Sequence, residues 1–226
     1  MSSFSPPLIR TTLARKAVVA VSGLVLVAFL VFHLLGNGLL LSADPQAYNR
    51  LAHDLEAWGW GFRLLEGLLA AAFLVHAGLA LETVWRNRTL GGRYAGRPAL
   101  TLKRLAGRSM AWTGPMLLAF LGWHLASLRF GPGIAQGYSV LVDGDRVRDL
   151  SRLVAETLQR PAVVGGYGLG LVAVGLHLGH GISSGLQTLG LGHPAWTPRL
   201  GQWSLGLAGL LVGGYGLLVA ALVLGA

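Results

Sequence analysis

The fold is decided by the stretch Gly23-Leu-Val-Leu-Val-Ala-Phe-Leu-Val-Phe-His-Leu-Leu-Gly-Asn-Gly38, which is apolar enough to lie in lipid and contains one histidine, His33. A hydrocarbon layer offers no water to a ring nitrogen, so a histidine inside a membrane span needs a partner and marks a candidate functional site. Three later apolar segments each contain a histidine as well: His76, His124 and His177. We therefore analyse the chain as a set of membrane spans that present histidines.

The composition is typical of a membrane protein. Of the 226 residues, 53% are hydrophobic and 12% are charged, and the mean hydropathy is +0.59. The net charge of +9 would suggest nucleic acid in a soluble protein. Here the basic residues cluster at the ends of apolar segments, so they indicate topology and no nucleic-acid partner is expected. The absence of cysteine excludes disulfides, thiolate metal sites and iron–sulfur clusters held by this chain.

Five segments have the roughly 20 apolar residues that cross a ~30 Å hydrocarbon layer. They predict one all-α integral membrane domain, residues 1–226, with five transmembrane helices over about 16–41, 63–85, 109–130, 161–187 and 200–225. Two further helices are predicted to lie in the outer interface, over about 45–57 and 146–159, with a turn at 143–145 before the second. The first apolar stretch is too long for a cleaved signal, so we expect it to stay as the first span.

The distribution of basic residues predicts the orientation. The segment 86–108 contains seven basic residues and no acidic one, whereas the connectors 42–62 and 131–160 are mixed in charge. By the positive-inside rule, the N-terminus, the 86–108 loop and the short 188–199 loop are cytoplasmic, and the C-terminus is outside.

The depths of the four histidines indicate two levels. Counting residues from the cytoplasmic ends of their spans, His33 and His124 both lie about 25 Å deep, whereas His76 and His177 lie about 14 Å deep. The expected pairs are therefore His33 with His124 toward the outside and His76 with His177 toward the cytoplasm.

Two histidines from facing helices can supply both axial ligands of a b-type haem, so two levels predict two haems b stacked across the bilayer. Zinc would need three or four ligands at one place, and a di-iron site would need several carboxylates in the bundle. His180 lies on nearly the same helix face as His177 and is an alternative ligand. Otherwise it donates a hydrogen bond to a haem propionate or lines a cavity. His53 and His193 fall in connectors and are expected at the surface.

At these residues the sequence resembles the membrane cytochrome b subunit of the succinate:quinone oxidoreductase family, in its form with one five-helix anchor and two haems b. The resemblance extends over all five spans. The matching stretches are Arg15-Lys16 with Val21-Ser22-Gly23-Leu24, Phe32-His33-Leu34-Leu35-Gly36-Asn37, Leu65-Glu66-Gly67, Leu176-His177-Leu178-Gly179-His180-Gly181, and Gln187-Thr188-Leu189-Gly190. The sequence departs from the family at His180, where Asn is frequent, and this keeps the choice between His177 and His180 open.

The resemblance implies haem ligation by His33, His76, His124 and His177, in the pairs that the depth count indicates. It also implies two partners that this chain does not contain: an iron–sulfur subunit and an FAD flavoprotein that oxidises succinate or reduces fumarate. The chain has no glycine-rich dinucleotide turn after a strand, so it is not the dehydrogenase itself. It would act in the bacterial cytoplasmic membrane, with the arginine-rich 86–108 loop as either a dock for the iron–sulfur subunit or a topogenic loop near anionic lipid.

The quinone, expected to be menaquinone, would exchange electrons near the outer haem according to the resemblance. Glu66 lies close to the outer level and could transfer protons to or from quinone, or form a hydrogen bond that stabilises helix packing. Arg63 and Arg129 are candidate propionate partners, or they extend to lipid headgroups. Glu82 is expected to pair with Arg86, one helical turn later.

Two other functions use the same histidines. The haem b subunit of a hydrogenase or formate dehydrogenase would share them, but not the 32–37 and 187–190 motifs. A haem-free proton channel or transporter would use them as a relay.

Overall fold

The structure is a computed structural model that describes residues 12–90 and 102–225. Its long helices are α1 (Thr12–Gly38), α3 (Trp60–Leu90), α4 (Leu102–His124), α6 (Pro161–Leu186) and α7 (Thr197–Leu224), and its short ones are α2 (Ala47–Ala57) and α5 (Leu150–Leu158). Two strands, β1 (Ser139–Val142) and β2 (Asp145–Arg148), form a hairpin. Single turns of 3-10 helix occur at Leu39–Leu41 and Ile134–Gln136, and π-helical turns at Leu125–Arg129 and Gln187–Leu191.

Within the described residues, four helices are long and apolar enough to cross a membrane: Thr12–Leu41, Trp60–Arg86, Pro161–Leu191 and Thr197–Leu224. The architecture is thus that of an all-α multi-pass membrane protein. The remaining predicted span, 109–130, is also helical but is not among the four. Polar residues and Pro115 interrupt its apolar sequence, so hydropathy alone does not identify it as a span.

The two predicted interfacial segments differ in how they fold. The first is helix α2, which begins two residues later than expected. The second prediction, a helix over 146–159, is wrong in its first part, because residues 145–148 form strand β2 and the helix begins at Leu150. The turn expected at 143–145 is present: Asp143 and Gly144 both have positive φ (51° and 94°), the conformation that two-residue hairpin turns require.

Four of the long helices form a ring around a common interior. Helix α1 packs against α3 and α6, and α4 packs against the same two helices on the other side, with the α3–α4 contact the smallest of the four. Helix α7 lies outside this ring, against α6 and α1. Consequently α1 faces α4 across the interior, and α3 faces α6.

The tightly packed apolar core lies between α6 and α7, around Leu178 and Leu211. Glycines of α6 allow this contact, since a Cβ built on Gly179 would lie 3.0 Å from the side chain of Leu205. The small residues in this part of α6 therefore serve helix packing.

Two polar side chains fix the loops at the end of the ring that carries α2, the hairpin and α5. Asn49 of α2 is 1% exposed, and its side-chain oxygen accepts the N–H groups of Leu150 and Ser151 at the start of α5. Arg148 of β2 donates to the carbonyls of Leu128 and Arg129, at the end of the π-helical turn that follows α4. Both interactions satisfy backbone groups that a helix end leaves unpaired.

Candidate functional site

The interior of the ring holds two pairs of histidine rings. His33 of α1 and His124 of α4 have ring centroids 6.0 Å apart, with an interplanar angle of 85°. His76 of α3 and His177 of α6 have centroids 6.2 Å apart, with an angle of 67°. These are the pairs that the depth count indicates, and each pair joins two helices that face each other across the ring.

The spacing of the rings suits two imidazoles that share one metal ion. A metal–imidazole bond is about 2 Å long, and a further 1.2 Å or so separates each nitrogen from its ring centre, so opposed ligands place their centroids about 6.4 Å apart. Both observed separations are close to that value. Among the described residues, no three His, Asp or Glu side chains come together as a zinc site would require.

The environment of His76 leaves its Nε2 available to such a metal. Its Nδ1 lies 3.0 Å from the carbonyl oxygen of Val19 and 3.4 Å from the hydroxyl of Ser22, which itself donates to the carbonyl of Val18. A carbonyl only accepts, so Nδ1 carries the proton of the neutral ring and Nε2 keeps its lone pair. The side chain at position 23 must be absent for this ring to fit, because a Cβ on Gly23 would lie 2.9 Å from Cε1 of His76.

His177 is held in the same way from α4. Its Nδ1 lies 3.2 Å from the hydroxyl of Thr113, and that hydroxyl donates its proton to the carbonyl of Ser109. With its proton already committed, the Thr113 oxygen accepts from Nδ1 of His177, and Nε2 is again free for coordination. The inner pair therefore has the tautomers that a bis-histidine haem needs, and its donor set fits a b-type haem.

The outer pair lies among aromatic side chains. Nδ1 of His124 lies 3.0 Å from the hydroxyl of Tyr167, and the His124 ring stacks on Phe120 at 5.8 Å. The His33 ring stacks on Phe29 at 5.1 Å and contacts Tyr215 at 6.2 Å. Stacking on the two phenylalanines and the contact with the Tyr167 hydroxyl orient these two rings, so this pair also fits two axial ligands.

The other predicted site residues occupy varied positions. The ring of His177 faces that of His76, and His180 lies three residues later on α6. Glu66 accepts two hydrogen bonds from Arg129, at 2.9 and 3.1 Å, and this ion pair connects α3 with the π-helical turn that follows α4. Arg63 is exposed near the N-terminal end of α3.

The ion pair predicted at Glu82 is confirmed. Glu82 contacts Arg86 at 2.8 Å, and also Arg15 of α1 at 2.8 Å. The second contact joins the N-terminal end of α1 to the C-terminal part of α3 and was not predicted. Residues 86–90 and 102–108 of the predicted 86–108 loop are helical, as the end of α3 and the start of α4, and residues 91–101 lie outside the described residues.

The partners of the histidine Nδ1 atoms were missed in the sequence, although a signal was present. Ser22 precedes His33 by about 11 residues, and Thr113 precedes His124 by the same number, which is close to three full helical turns. Each polar residue therefore lies on the same helix face as a histidine, at the level of the other histidine pair. There it meets a histidine of the other pair, so α1 and α4 each contribute to both levels.

Comparison of the chain with protein-family models, curated proteins and solved structures finds no match.

Proposed function

We propose that the chain is a dihaem cytochrome b, the membrane-anchor subunit of a succinate dehydrogenase or fumarate reductase, and that it carries electrons between an iron–sulfur subunit and membrane quinone. The single observation that carries the haem part of this proposal is the arrangement of the histidines. Two ring pairs lie on opposite helices at the separation of metal-sharing imidazoles, and hydrogen bonds donated by Nδ1 leave Nε2 free at His76 and His177.

In this proposal His33 and His124 hold the outer haem b, and His76 and His177 hold the inner one. A haem supplies a one-electron redox couple, and two of them divide the insulating span into shorter steps. The chain's own residues bind and orient: Val19, Ser22 and Thr113 fix the inner rings, and the aromatic side chains fix the outer ones.

The topology belongs to the same proposal. Helix α4, with the π-helical turn after it, joins the four apolar helices as the third of five spans in chain order. The N-terminus is cytoplasmic and the C-terminus is outside. Exposed tryptophans support two membrane interfaces. Trp58 and Trp60 lie where α2 meets α3, at the proposed outer interface, and Trp85, near the end of α3, and Trp196, before α7, lie at the opposite interface. The bacterial cytoplasmic membrane is the proposed location, since the positively charged segments then face the cytoplasm.

The assignment to succinate:quinone oxidoreductases depends on the motifs around His33 and His177. The iron–sulfur subunit and the FAD flavoprotein would bind on the cytoplasmic side, next to the inner pair. Quinone, expected to be menaquinone, would react near the outer pair. Glu66 is the proposed proton carrier there, and its ion pair with Arg129 supports a position at the outer level but also serves helix packing.

The absorption spectrum of the purified protein tests the haem assignment. The dithionite-reduced minus oxidised spectrum should show low-spin haem b, with two haems per chain by haem extraction. His33→Ala and His76→Ala should each remove one haem, whereas His53→Ala, in a connector beside Asp145, should remove none. A featureless spectrum from haem-replete cells would refute the proposal and favour a proton relay.

Copurification tests the family. Tagged protein from its native membrane should bring down a flavoprotein and an iron–sulfur protein that together reduce a quinone analogue with succinate. Partners that instead oxidise hydrogen or formate would move the chain to the other class of cytochrome b.

A further inference from the structure

Tyr167 occupies a position built by its neighbours. Its ring lies 5.4 Å from Phe120 and 5.5 Å from Trp123, both on α4, and its hydroxyl reaches Nδ1 of His124. Glycines flank it on α6: a Cβ on Gly166 would lie 2.9 Å from Trp123, and one on Gly170 would lie 2.7 Å from Phe120. The bare backbone at both positions lets the two α4 rings close around the tyrosine, so packing fixes the location of its hydroxyl.

The chemistry of this contact differs from that at the inner pair. Both inner histidines donate to oxygens that have no free proton: a carbonyl at His76, and at His177 a threonine hydroxyl already committed to another carbonyl. A phenol can donate or accept. If Tyr167 accepts, Nδ1 of His124 is protonated and Nε2 is free to bind a metal opposite His33; if it donates, the tautomer is the wrong one for coordination.

We propose that Tyr167 is the positioning residue of the outer centre, which accepts a hydrogen bond from Nδ1 of His124 and so selects the tautomer and plane of that ring. The proposal rests on the proposed function, because it assumes that His124 ligates a haem. It assigns Tyr167 no contact with substrate or haem.

Tyr215 provides a matched control. It also lies beside the outer pair, 6.2 Å from the His33 ring, but its hydroxyl donates to the backbone carbonyl of Leu30. Tyr167→Phe and Tyr215→Phe therefore remove the same atom from the same region, and only the first removes a hydrogen bond to a histidine nitrogen.

The experiment uses the full-length chain in backgrounds with a single centre. In His76→Ala, only the outer haem remains, and its electron paramagnetic resonance spectrum reports the angle between the two imidazole planes, 85° in the structure. Adding Tyr167→Phe should shift that signal and lower haem retention about tenfold, as removal of a ligand's hydrogen-bond partner does in other metal sites. In the His33→Ala background, which keeps the inner haem, the same change should have no effect.

Nitrogen-15 NMR of the histidine rings separates this proposal from the proposed function. In haem-free protein, His124 should be the Nδ1–H tautomer, and Tyr167→Phe should convert it to a mixture. An unprotonated Nδ1 in the unsubstituted chain would overturn the proposal. So would an unchanged outer signal in Tyr167→Phe, or an equal shift in Tyr215→Phe. Absence of any haem would instead refute the proposed function, while the NMR result would still decide the role of Tyr167.

Discussion

Gly23→Ala is expected to remove the proposed inner haem, the one assigned to His76 and His177, while α1 stays helical. Alanine favours a helix over glycine by about 1 kcal/mol, so backbone propensity supports the substitution. The obstacle is the His76 ring, whose Cε1 would lie 2.9 Å, and whose Nδ1 would lie 3.2 Å, from the new Cβ.

The size of the effect follows from these distances. Non-bonded carbons prefer a separation of about 3.5–4.0 Å, so the ring has to retreat by at least about 0.6 Å. Metal–ligand distances tolerate only about 0.2 Å, and the retreat also strains the hydrogen bond from Nδ1 to Val19. Overpacking of this kind costs about 1–3 kcal/mol. We therefore expect inner-haem occupancy to fall about tenfold when haem is limiting, since tenfold corresponds to about 1.4 kcal/mol.

The assay counts haems per chain by extraction and records the reduced spectrum of each variant. Gly38→Ala is the matched control, because it changes the same helix at a position with no heavy atom within 4 Å of the new Cβ. Gly23→Ala should approach one haem per chain and Gly38→Ala should keep two. If Gly23→Ala retains two haems with the original spectrum, the close approach of α1 to His76 does not control the site.

Three further outcomes concern the outer loops. Asn49→Ala should destabilise the α2–α5 contact by about 3 kcal/mol, because two partly buried backbone N–H groups lose their acceptor, and proteolysis within α5 should report it; the exposed Asp54→Asn should be neutral. Arg148→Gln should loosen the segment that follows α4 by about 2 kcal/mol, visible as faster hydrogen exchange of residues 128–132. Burial alone would raise the pKa of Asp149, but hydrogen bonds from Arg152, Asn49 and Ser151 outweigh it and hold that pKa below its usual value. The stabilisation it provides is therefore present at neutral pH and is lost as pH falls through the lowered pKa, an acid sensitivity that Asp149→Asn should weaken.

The histidine pairs could be anticipated because helical rise converts residue number into depth with little error. His33 and His124 meet at one level and His76 and His177 at another, as the count indicates. The choice between His177 and His180 could not be made that way, because both lie near one helix face and differ by less than a turn. Rotation around the axis, which only packing fixes, brings His177 opposite His76.

The outer loops show where pattern analysis failed. The residues Arg146, Val147 and Arg148 run directly into a helical sequence, so the pattern predicts them as the start of the helix over 146–159 and Asp145 as part of the turn. Asp143 and Gly144 predict a turn, but four residues on either side of it are too few to show a clear strand pattern. Val140 pairs with Val147 across that turn, which makes it a hairpin turn.

The environment of the site was the least predictable part. Ser22 and Thr113 resemble ordinary small polar residues in a span, and their spacing to the histidines has meaning only once facing helices are known. The sequence suggests a haem propionate or a lipid headgroup as the partner of Arg129. In the structure Arg129 lies in the π-helical turn at 125–129 and pairs with Glu66, and no local sequence pattern predicts that turn.

The two histidine pairs cross each other as diagonals of a four-sided frame, at different heights. Four helices that contact only their neighbours around a ring can shift sideways, whereas a link between two opposite helices fixes their arrangement at that height. A second link, between the other two helices and further along the axis, also resists twisting of one end of the ring against the other. In the proposed dihaem protein, each iron bound by a histidine pair would thus act as a cross-brace, and loss of one would loosen the ring of helices at that height while the other height stayed fixed.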